Sequence, residues 1–314
     1  MADAAAPPAP TLSVVIPCRN EEANVEPIAR AVLGELERSG ESFEIIFIDN
    51  ASTDRTVEIA RGLCARDPRI KLIVNAGNFG QLRSPTYAIY QARGQAVIAM
   101  CADFQDPPEL IPEFIEQWRA GYRVVLGVRQ SEPGSLWLRV LRSLAYFLGR
   151  WLFDHPLIPN ATGFGLFDRR VLDVLSKLNE PEPLFRGLLV EFDFPTKTIA
   201  FKRPARARGK SNNNFFTLAD FVLSAVAASG KRLLRLPFVF GLISMVFSLG
   251  LVVAASLGAA TPAFWPLVLW AVLQFNFGIL FVICGLVGDQ IRLLAERSRG
   301  TPLVVEAERV NFDR

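Results

Sequence analysis

Polar side chains with oxygen donors follow four short apolar runs in the first third of the chain. The runs are Leu12–Ile16, Phe43–Ile48, Ile70–Val74 and Ala96–Met100, and the residues after them include Asn20-Glu21, Asp49, Asn78 and Asp103-Phe104-Gln105. Helix capping would account for single residues such as Ser52, Asp54 or Asp106, but not for acids after three of the four runs. Carboxylate and amide oxygens together suit a hard cation such as Mg²⁺ or Mn²⁺, which neutralises phosphate groups.

The cysteine and histidine content argues against zinc and against His-based nucleophilic catalysis. The chain has one histidine, His155, and its four cysteines, at 18, 64, 101 and 284, show no Cys-x-x-Cys spacing. A Gly-x-Gly-x-x-Gly motif is absent. Gly209-Lys210-Ser211 lacks the earlier glycine of a phosphate-binding loop, because Pro204 stands there. The net charge of +3 is too small to indicate nucleic-acid binding.

The elements that must position these residues alternate along the chain. A fifth apolar run is Val124–Leu126, and stretches with helical periodicity separate the runs: Asn24–Arg38, Asp54–Arg66, Arg83–Arg93 and Pro108–Ala120. Near-continuous apolar strands with intervening helices predict an α/β fold, with a mainly parallel sheet covered by helices on both faces. Ligands of such sheets bind beyond the carboxyl ends of the strands, where the polar residues are expected.

A long apolar tract predicts a membrane anchor. No charged residue occurs from 236 to 288, and the mean hydropathy of the whole chain is +0.27. Because one membrane helix takes about 20 residues, the tract predicts two transmembrane helices, 236–257 and 263–288, with Thr261-Pro262 in the turn. Arginines and lysines flank both spans on their outer sides, which places both termini and the large domain in the cytosol.

These patterns divide the chain into five parts. Residues 1–10 are a disordered leader, 11–210 the α/β domain, 211–235 a juxtamembrane amphipathic helix, 236–288 the two-helix hairpin and 289–314 a cytosolic tail. The amphipathic helix is expected to lie on the membrane surface beside the first span.

Several motifs then resemble a known family. They are Val15-Ile16-Pro17 with Asn20-Glu21-Glu22, the run Ile48-Asp49-Asn50-Ala51-Ser52-Thr53-Asp54, Asn78-Phe79-Gly80, and Ala102-Asp103-Phe104-Gln105-Asp106-Pro107-Pro108-Glu109. Together they resemble the family 2 glycosyltransferases of GT-A fold. Within that family they resemble the polyisoprenyl-phosphate glycosyltransferases, which include dolichol-phosphate mannose synthase and undecaprenyl-phosphate glucosyltransferases. The resemblance runs from about residue 11 to residue 290 and includes the two-span tail.

The resemblance implies a reaction and a donor site. A sugar would pass from a UDP- or GDP-sugar to the phosphate of a membrane-embedded polyprenol, with inversion at the anomeric carbon. Nucleotide-sugar contacts would come from Pro17, Asn20, Glu21, Asp49, Asn78, Asp103 and Gln105, and the metal, Mg²⁺ or Mn²⁺, would be held by Asp103 and Gln105. The sequence departs from the family at Cys101, where the motif has its first acid, and at Asn50, where a second acid is usual.

The resemblance also implies phosphate contacts in the acceptor half of the site. Arg129, Arg139, Ser143 and Arg206 are expected, with Asp103, to carry catalysis. Arg139 and Ser143 lie four residues apart in a helical run and therefore share a face. The competing interpretation of such arginines is that they are solvated surface groups or lipid-headgroup anchors.

Two other functions remain open at this stage. One is a processive polysaccharide synthase with a similar α/β domain, although Gln117-Trp118-Arg119 only imitates the signature of those enzymes and two spans are few for a pore. The other is a catalytically inactive, nucleotide-sugar-binding membrane scaffold, which Cys101 would favour. A homo-oligomer is also possible, and the protein would be an inner-membrane protein if it is bacterial.

Overall fold

The computed structural model describes residues 9–130, 158, 160–178, 180, 189, 192–202, 204, 264–312 and eight positions between 243 and 253. The chain divides into two compact units. One contains Met1–Arg142, Leu157–Asn213 and Gly300–Arg314, and the other contains Ser143–Pro156 and Asn214–Arg299.

The first unit is built on an eight-stranded sheet. Its strands are β1 Leu12–Cys18, β2 Phe43–Asp49, β3 Ile70–Asn75, β4 Ala96–Ala99, β5 Val124–Arg129, β6 Ala161–Asp168, β7 Thr196–Phe201 and β8 Glu306–Val310. Their order across the sheet is β7-β5-β6-β4-β1-β2-β3-β8. Strands β4, β1, β2 and β3 are parallel neighbours, whereas β6 and β8 run antiparallel to the strands beside them. The predicted mainly parallel sheet is therefore confirmed.

Helices cover both faces of this sheet. They are α1 Val25–Ser39, α2 Thr56–Arg66, α3 Gly80–Gln91, α4 Ile111–Arg119 and α5 Arg169–Leu175, with short 3-10 turns at Pro108–Leu110 and Ser176–Leu178. One apolar cluster joins the sheet to α1, α2 and α4, and a second joins it to α3 and α5. Successive β1 residues alternate between the two clusters, so Val14 faces the first and Val15 the second. Burial on both faces explains why the strands are continuously apolar.

The C-terminal residues complete the edge of the sheet. Strand β8 pairs antiparallel with β3, and the backbone amide of Ala76 donates to the carbonyl of Val305 at 2.8 Å. The side-chain amide of Asn311 donates to the carbonyls of Cys64 and Ile70, each at 2.8 Å. The sequence pattern predicts only a cytosolic tail at 289–314, and this strand is not among the predicted elements.

The second unit contains a long apolar helix, α6, at Phe264–Arg299. Its stretch Val268–Arg292 has a mean hydropathy of 2.1 and is long and apolar enough to cross a membrane, and it is the one such helix found among the described residues. The hydroxyl of Ser244 donates to the side-chain oxygen of Asn276 on this helix. Most of the predicted first span, 236–257, and the juxtamembrane segment 211–235 lie outside the described residues.

Candidate functional site

The polar segments found in the sequence meet at the end of the sheet where the parallel strands β1 to β4 have their carboxyl ends. In register, Cys18 of β1 pairs with Asp49 of β2, Asp49 pairs with Val74 of β3, and Val15 of β1 pairs with Ala99 of β4. Because neighbouring strands lie about 4.8 Å apart, four strand ends share a narrow edge. We call this edge, made of residues 18–24, 49–54, 75–80 and 101–106, the carboxyl rim.

The backbone of the carboxyl rim turns sharply at three residues other than glycine. Asn20, Ala51 and Phe104 have φ angles of 55°, 59° and 61°, in the left-handed region. They stand in the first turns after β1, β2 and β4, respectively. This conformation is costly for residues with a Cβ atom, and such residues cluster at ligand-binding sites. The strain therefore falls on the same segments that carry the candidate site residues.

Asp49 is the innermost carboxylate of the rim. It is fully buried, and Ser52 donates to it from both its backbone amide, at 2.9 Å, and its hydroxyl. Burial raises the pKa of Asp49, and the two bonds from Ser52 oppose that rise without cancelling it. An ionised Asp49 offers only acceptor atoms, and each of its two oxygens accepts one hydrogen bond from Ser52.

Asn20 and Glu21 join the β1 and β2 loops to each other. The backbone amide of Asn20 donates to the Ser52 hydroxyl at 2.9 Å, and its side-chain oxygen accepts from the amide of Thr53 at 2.8 Å. The backbone amide of Glu21 donates to the hydroxyl of Thr56 at 2.8 Å, and its carboxylate accepts from Asn24 at 2.6 Å. The contacts of both residues thus shape the rim around Asp49, and Pro17 lies on β1 opposite Ile48.

Asn50 connects the β2 end to the loop that contains Asn78. Its side-chain amide donates to the side-chain oxygen of Asn78 at 2.8 Å, and its side-chain oxygen accepts from the backbone amide of Phe79 at 2.9 Å. In the sequence, Asn50 stands out only as a departure from the family motif. The signal that could have found this role was the run of amide residues at the ends of β2 and β3, Asn50, Asn75 and Asn78.

Asp103 and Gln105 lie together in the segment after β4. Asp103 is only 9% exposed, and its carboxylate accepts from the backbone amide of Gln105 at 3.1 Å. One carboxylate and one amide oxygen fit a hard divalent cation by donor chemistry. The set needs further oxygen ligands from the substrate and water, because the described residues contain no cluster of three or more Asp, Glu, His or Cys.

Asp106 and Asp168 both stand shortly before a helical segment, and only one of them is a cap. Asp106 does not cap the following helix: its carboxylate accepts from the backbone amide of Cys101 at 2.9 Å, which closes the 101–106 loop, and Pro107 precedes the 3-10 turn. Asp168 does cap α5 by accepting from the amide of Arg170. It also accepts from Trp118 at 2.8 Å and Arg123 at 2.7 Å. Burial acts to raise its pKa, but these bonds together hold the pKa of Asp168 below its usual value.

The predicted phosphate contacts fall mostly outside the described residues, as Arg139, Ser143 and Arg206 do. Arg129 is described and is exposed at the end of β5, where its backbone amide donates to the carbonyl of Asn160 at 3.1 Å. Two antiparallel pairings separate β5 from β4, so β5 runs in the direction of β4 and ends at the same edge. The backbone of Arg129 therefore stands at the same end of the sheet as the carboxyl rim.

Cys18, at the end of β1, is a structural residue. Its thiol is buried and donates to the carbonyl of Ile48 at 3.4 Å. Burial, followed by the nearby carboxylates, raises the pKa of the Cys18 thiol well above its usual value. Because the thiolate is the reactive form, this raised pKa disfavours Cys18 as a nucleophile.

Comparison with known proteins gives this geometry a family. The sequence profile of Glycosyl transferase family 2 matches residues 13–175, just over half of the chain. An undecaprenyl-phosphate 4-deoxy-4-formamido-L-arabinose transferase of Pseudomonas paraeruginosa is 28% identical over 94% of this chain and 89% of its own length. A bactoprenol glucosyl transferase of Shigella phage SfV is 27% identical over 93% of this chain and 96% of its own.

Among solved structures, glucosyl-3-phosphoglycerate synthase of Mycobacterium tuberculosis, in complex with Mn²⁺, UDP and glucosyl-3-phosphoglycerate, superposes with a TM-score of 0.48. It shares 20% identity with this chain, and the match covers 69% of this chain and 78% of that protein.

Proposed function

This chain belongs to glycosyl transferase family 2, and we propose that it transfers a sugar from a nucleotide diphosphate-sugar to a polyprenyl phosphate, with inversion, at the cytosolic face of a membrane. The observation that carries the proposal is the placement of Asp49 and Asp103 at the carboxyl ends of β2 and β4, with only β1 between these strands. A site for a nucleoside diphosphate needs a group that contacts the base and, a short distance away, a group that helps to neutralise the charge of the diphosphate. Asp49 would serve the first purpose, and Asp103, through a bound metal ion, the second.

The donor half of the site uses residues of the carboxyl rim. Asp49 accepts N–H groups of the base, while Pro17, Asn20 and Glu21 form the wall that orients the nucleoside. Asn78 approaches from the loop after β3. The names of the two relatives give different sugars, 4-deoxy-4-formamido-L-arabinose and glucose, so they do not identify the sugar that this chain transfers.

Asp103 and Gln105 would hold Mg²⁺ or Mn²⁺ on the diphosphate. The metal, when bound, supplies positive charge that stabilises the nucleoside diphosphate as a leaving group. Asp103 is well suited to hold it because it is largely buried, so its orientation is fixed before the donor arrives. The exposed Cys101 would not be a ligand, because a thiolate is a poor match for either hard cation.

The acceptor half needs cations rather than a general base. A phosphate oxygen of the polyprenyl phosphate forms a bond to the anomeric carbon as the bond from that carbon to the donor diphosphate breaks. This oxygen is already anionic at neutral pH, so no side chain has to remove a proton. Arg129, with Arg139, Ser143 and Arg206, would position the lipid phosphate against the repulsion of the donor diphosphate.

The membrane part of the proposal is a two-span hairpin with both termini in the cytosol. It is supported by the length and hydropathy of α6, by the uncharged tract 236–288, and by the hydrogen bond between Ser244 and Asn276. The juxtamembrane segment 211–235 would hold the site at the depth of lipid headgroups.

A transfer assay with membranes tests the proposal. Membranes with the full-length protein, a panel of labelled UDP- and GDP-sugars, and undecaprenyl or dolichyl phosphate should give a singly glycosylated lipid only when Mg²⁺ or Mn²⁺ is present. Asp103→Asn keeps the acceptor for the Gln105 amide but removes the negative charge, and should lower the rate at least about 100-fold. Asp173→Asn is the matched control, because Asp173 is exposed on α5. This helix follows β6 at the end of the sheet opposite to the carboxyl rim, since Asp168 pairs with the first residue of β4.

Three outcomes would contradict the proposal. A polymer in place of a single-sugar lipid would indicate a processive synthase. Nucleotide-sugar binding without transfer across the whole panel would indicate a scaffold, the alternative that the exposed Cys101 at the first acid position favours. Full activity of Asp103→Asn would overturn the metal assignment.

A further inference from the structure

The backbone of Asn50 is fixed at the end of β2. Asn50 comes directly after Asp49 and is 8% exposed. Its backbone amide donates to the carbonyl of Cys18 at 3.0 Å, which continues the β1–β2 pairing one residue beyond the strands. The side chain of Asn50 therefore starts from a point as rigid as the sheet.

All four hydrogen-bonding positions of the Asn50 carboxamide are occupied. Its nitrogen donates to the side-chain oxygen of Asn78 at 2.8 Å and to the carbonyl of Gly80 at 3.2 Å. Its oxygen accepts from the backbone amide of Phe79 at 2.9 Å and from the side-chain amide of Asn75 at 3.3 Å. A carboxamide has two N–H donors and two acceptor lone pairs, so the side chain is saturated.

The partners fix the orientation of this carboxamide and exclude its acid. The Phe79 amide can only donate and the Gly80 carbonyl can only accept, so the oxygen and nitrogen of Asn50 cannot exchange places. The Asn78 oxygen also accepts from the backbone amide of Gly80 at 3.0 Å, which fixes Asn78 in turn. An aspartate at position 50 would bring a carboxylate oxygen against the Asn78 oxygen and the Gly80 carbonyl, and these three acceptors repel one another.

The bonds from Asn50 reach each residue of one short loop. Asn78, Phe79 and Gly80 form the turn that begins α3, and Gly80 takes a φ of 82° there. Asn78 itself is exposed on the carboxyl rim. Asn50 holds the side-chain oxygen of Asn78 and the backbone of the next two residues, Phe79 and Gly80.

We propose that Asn50 is the positioning residue of the nucleotide-sugar site: its carboxamide holds the Asn78–Gly80 loop in the conformation that receives the donor. In this chain, where the Asn78 oxygen and the Gly80 carbonyl both face position 50, the loop needs an amide in place of the acid that is usual in the family. This inference rests on the proposed function and deepens it. Asn50 acts through the loop and touches neither reacting centre, so its loss raises the dissociation constant of the donor and leaves acceptor recognition unchanged.

The test compares Asn50→Asp with Asn311→Asp in the full-length protein. Asn311 is a matched control, because its amide also donates to two main-chain carbonyls, its φ is 61°, and its partner Ile70 begins β3 at the opposite edge of the sheet. Donor binding is measured by titration calorimetry with the nucleotide-sugar that the wild type transfers, and KM is measured separately for donor and acceptor. Thermal unfolding of each variant is recorded in parallel.

We expect Asn50→Asp to raise the donor Kd at least about tenfold, which corresponds to about 1.4 kcal/mol, with the acceptor KM unchanged. Asn311→Asp should lose a similar amount of thermal stability and keep the wild-type donor Kd. If Asn50→Asp does not fold, Asn50→Ser serves in its place, because serine is neutral and too short to reach the loop. It should likewise raise the donor Kd and leave the acceptor KM unchanged.

A wild-type donor Kd in the Asn50 variants would overturn the inference and leave the proposed function intact. An equal rise of Kd in Asn311→Asp would also overturn it, since the effect would then follow from general destabilisation. A wild-type protein that binds no nucleotide-sugar would overturn the proposed function and this inference with it.

Discussion

Ser52 holds the carboxylate of Asp49 from two directions, with its backbone amide at 2.9 Å from one oxygen and its hydroxyl on the other. The residues are three apart and lie in the turn after β2, where Ala51 between them takes a left-handed φ of 59°. The turn therefore aims both donors of Ser52 at a carboxylate that has no exposure to water. This arrangement sets how Asp49 responds to pH.

Replacing Ser52 by alanine should move the acid limb of activity to higher pH. Burial raises the pKa of Asp49 and the Ser52 hydroxyl lowers it, so loss of the hydroxyl leaves the pKa higher still. Protonation removes the negative charge with which Asp49 is proposed to accept from the base, so donor binding should weaken as the pH falls through this pKa. The expected shift is up to about one unit, measured as kcat/KM for the donor against pH. Ser52→Thr keeps a hydroxyl and should keep the wild-type profile; a shared profile for all three proteins would contradict the assignment.

The same pKa predicts the contribution of Asp49 to stability. A carboxyl whose pKa is raised by folding binds its proton more tightly in the folded state than in the unfolded chain. Its contribution is therefore fully present below the usual Asp pKa and is lost as the pH rises through the raised value. Asp49→Asn removes this dependence, so its free energy of unfolding should fall less than that of the wild type between these two pH values. Chemical unfolding at a series of pH values measures the difference, and parallel curves for the two proteins would contradict it.

Restoring an acid at position 101 should strengthen the metal site. Cys101 is exposed, and the bond to Asp106 that orders its loop comes from its backbone amide, which any substitution keeps. Cys101→Asp adds a second carboxylate next to Asp103 and should lower the Mn²⁺ concentration for half-maximal activity several-fold, as a hard cation prefers oxygen ligands. Cys101→Ser should behave like the wild type. Loss of activity in Cys101→Ser would show instead that the thiol takes part in the reaction.

The buried ion pair between Lys71 and Glu44 lies near the amino ends of β2 and β3, far from the carboxyl rim, and should contribute strongly to the free energy of unfolding. Lys71 of β3 contacts the carboxylate of Glu44 of β2 at 2.7 Å, and the other Glu44 oxygen accepts from Ser13 at 2.6 Å and from the Arg93 amide at 2.7 Å. Lys71→Met leaves the Glu44 charge buried without its cation, and should cost about 3 kcal/mol of unfolding free energy. The double variant Lys71→Met/Glu44→Gln keeps the acceptor for Ser13 and Arg93 and should recover much of the loss, as measured by chemical unfolding. A double variant no more stable than the single one would contradict this account.

The parallel half of the sheet was predictable because its strands are buried on both faces. All five predicted runs became strands, and each begins at its predicted first residue. The antiparallel β6 was not predicted, because Gly163 and Gly165 give its sequence the composition of a loop. The structure requires glycine at 165, where a Cβ atom would lie 2.4 Å from the carbonyl of Val125 on the adjacent strand. The close approach of the two backbones thus requires a glycine in this strand, and a glycine-containing strand lacks the alternating apolar pattern from which strands are predicted.

The candidate site was predictable in its carboxylates and not in its amides. Asp49 and Asp103 stand at strand ends, and the ends of parallel strands meet by topology alone. Asn50 and the loop at Asn78 come together only through the side-chain geometry of a turn after β3, which no spacing rule encodes. Strand β8 escaped for a related reason: a five-residue edge strand with two glutamates and an arginine has little hydrophobic signal, and its pairing with β3 spans most of the chain.

Ser244 and Asn276 provide a test of the membrane hairpin. The Ser244 hydroxyl donates to the side-chain oxygen of Asn276, and the Asn276 amide donates to the carbonyl of Val272 at 2.8 Å within α6. Both residues lie near the middle of the predicted spans, where water cannot replace a lost partner. Polar pairs between membrane helices contribute about 0.6 kcal/mol on average and up to about 1.7 kcal/mol.

A double-mutant cycle with Ser244→Ala and Asn276→Val, measured by SDS-induced unfolding, should therefore show a coupling energy in this range. The control cycle pairs Ser244→Ala with Cys284→Ala, because Cys284 is on the exposed face of α6, and it should be additive. Additive costs in both cycles would mean that the two segments do not pack against each other in the membrane, and the hairpin would lose its main structural support.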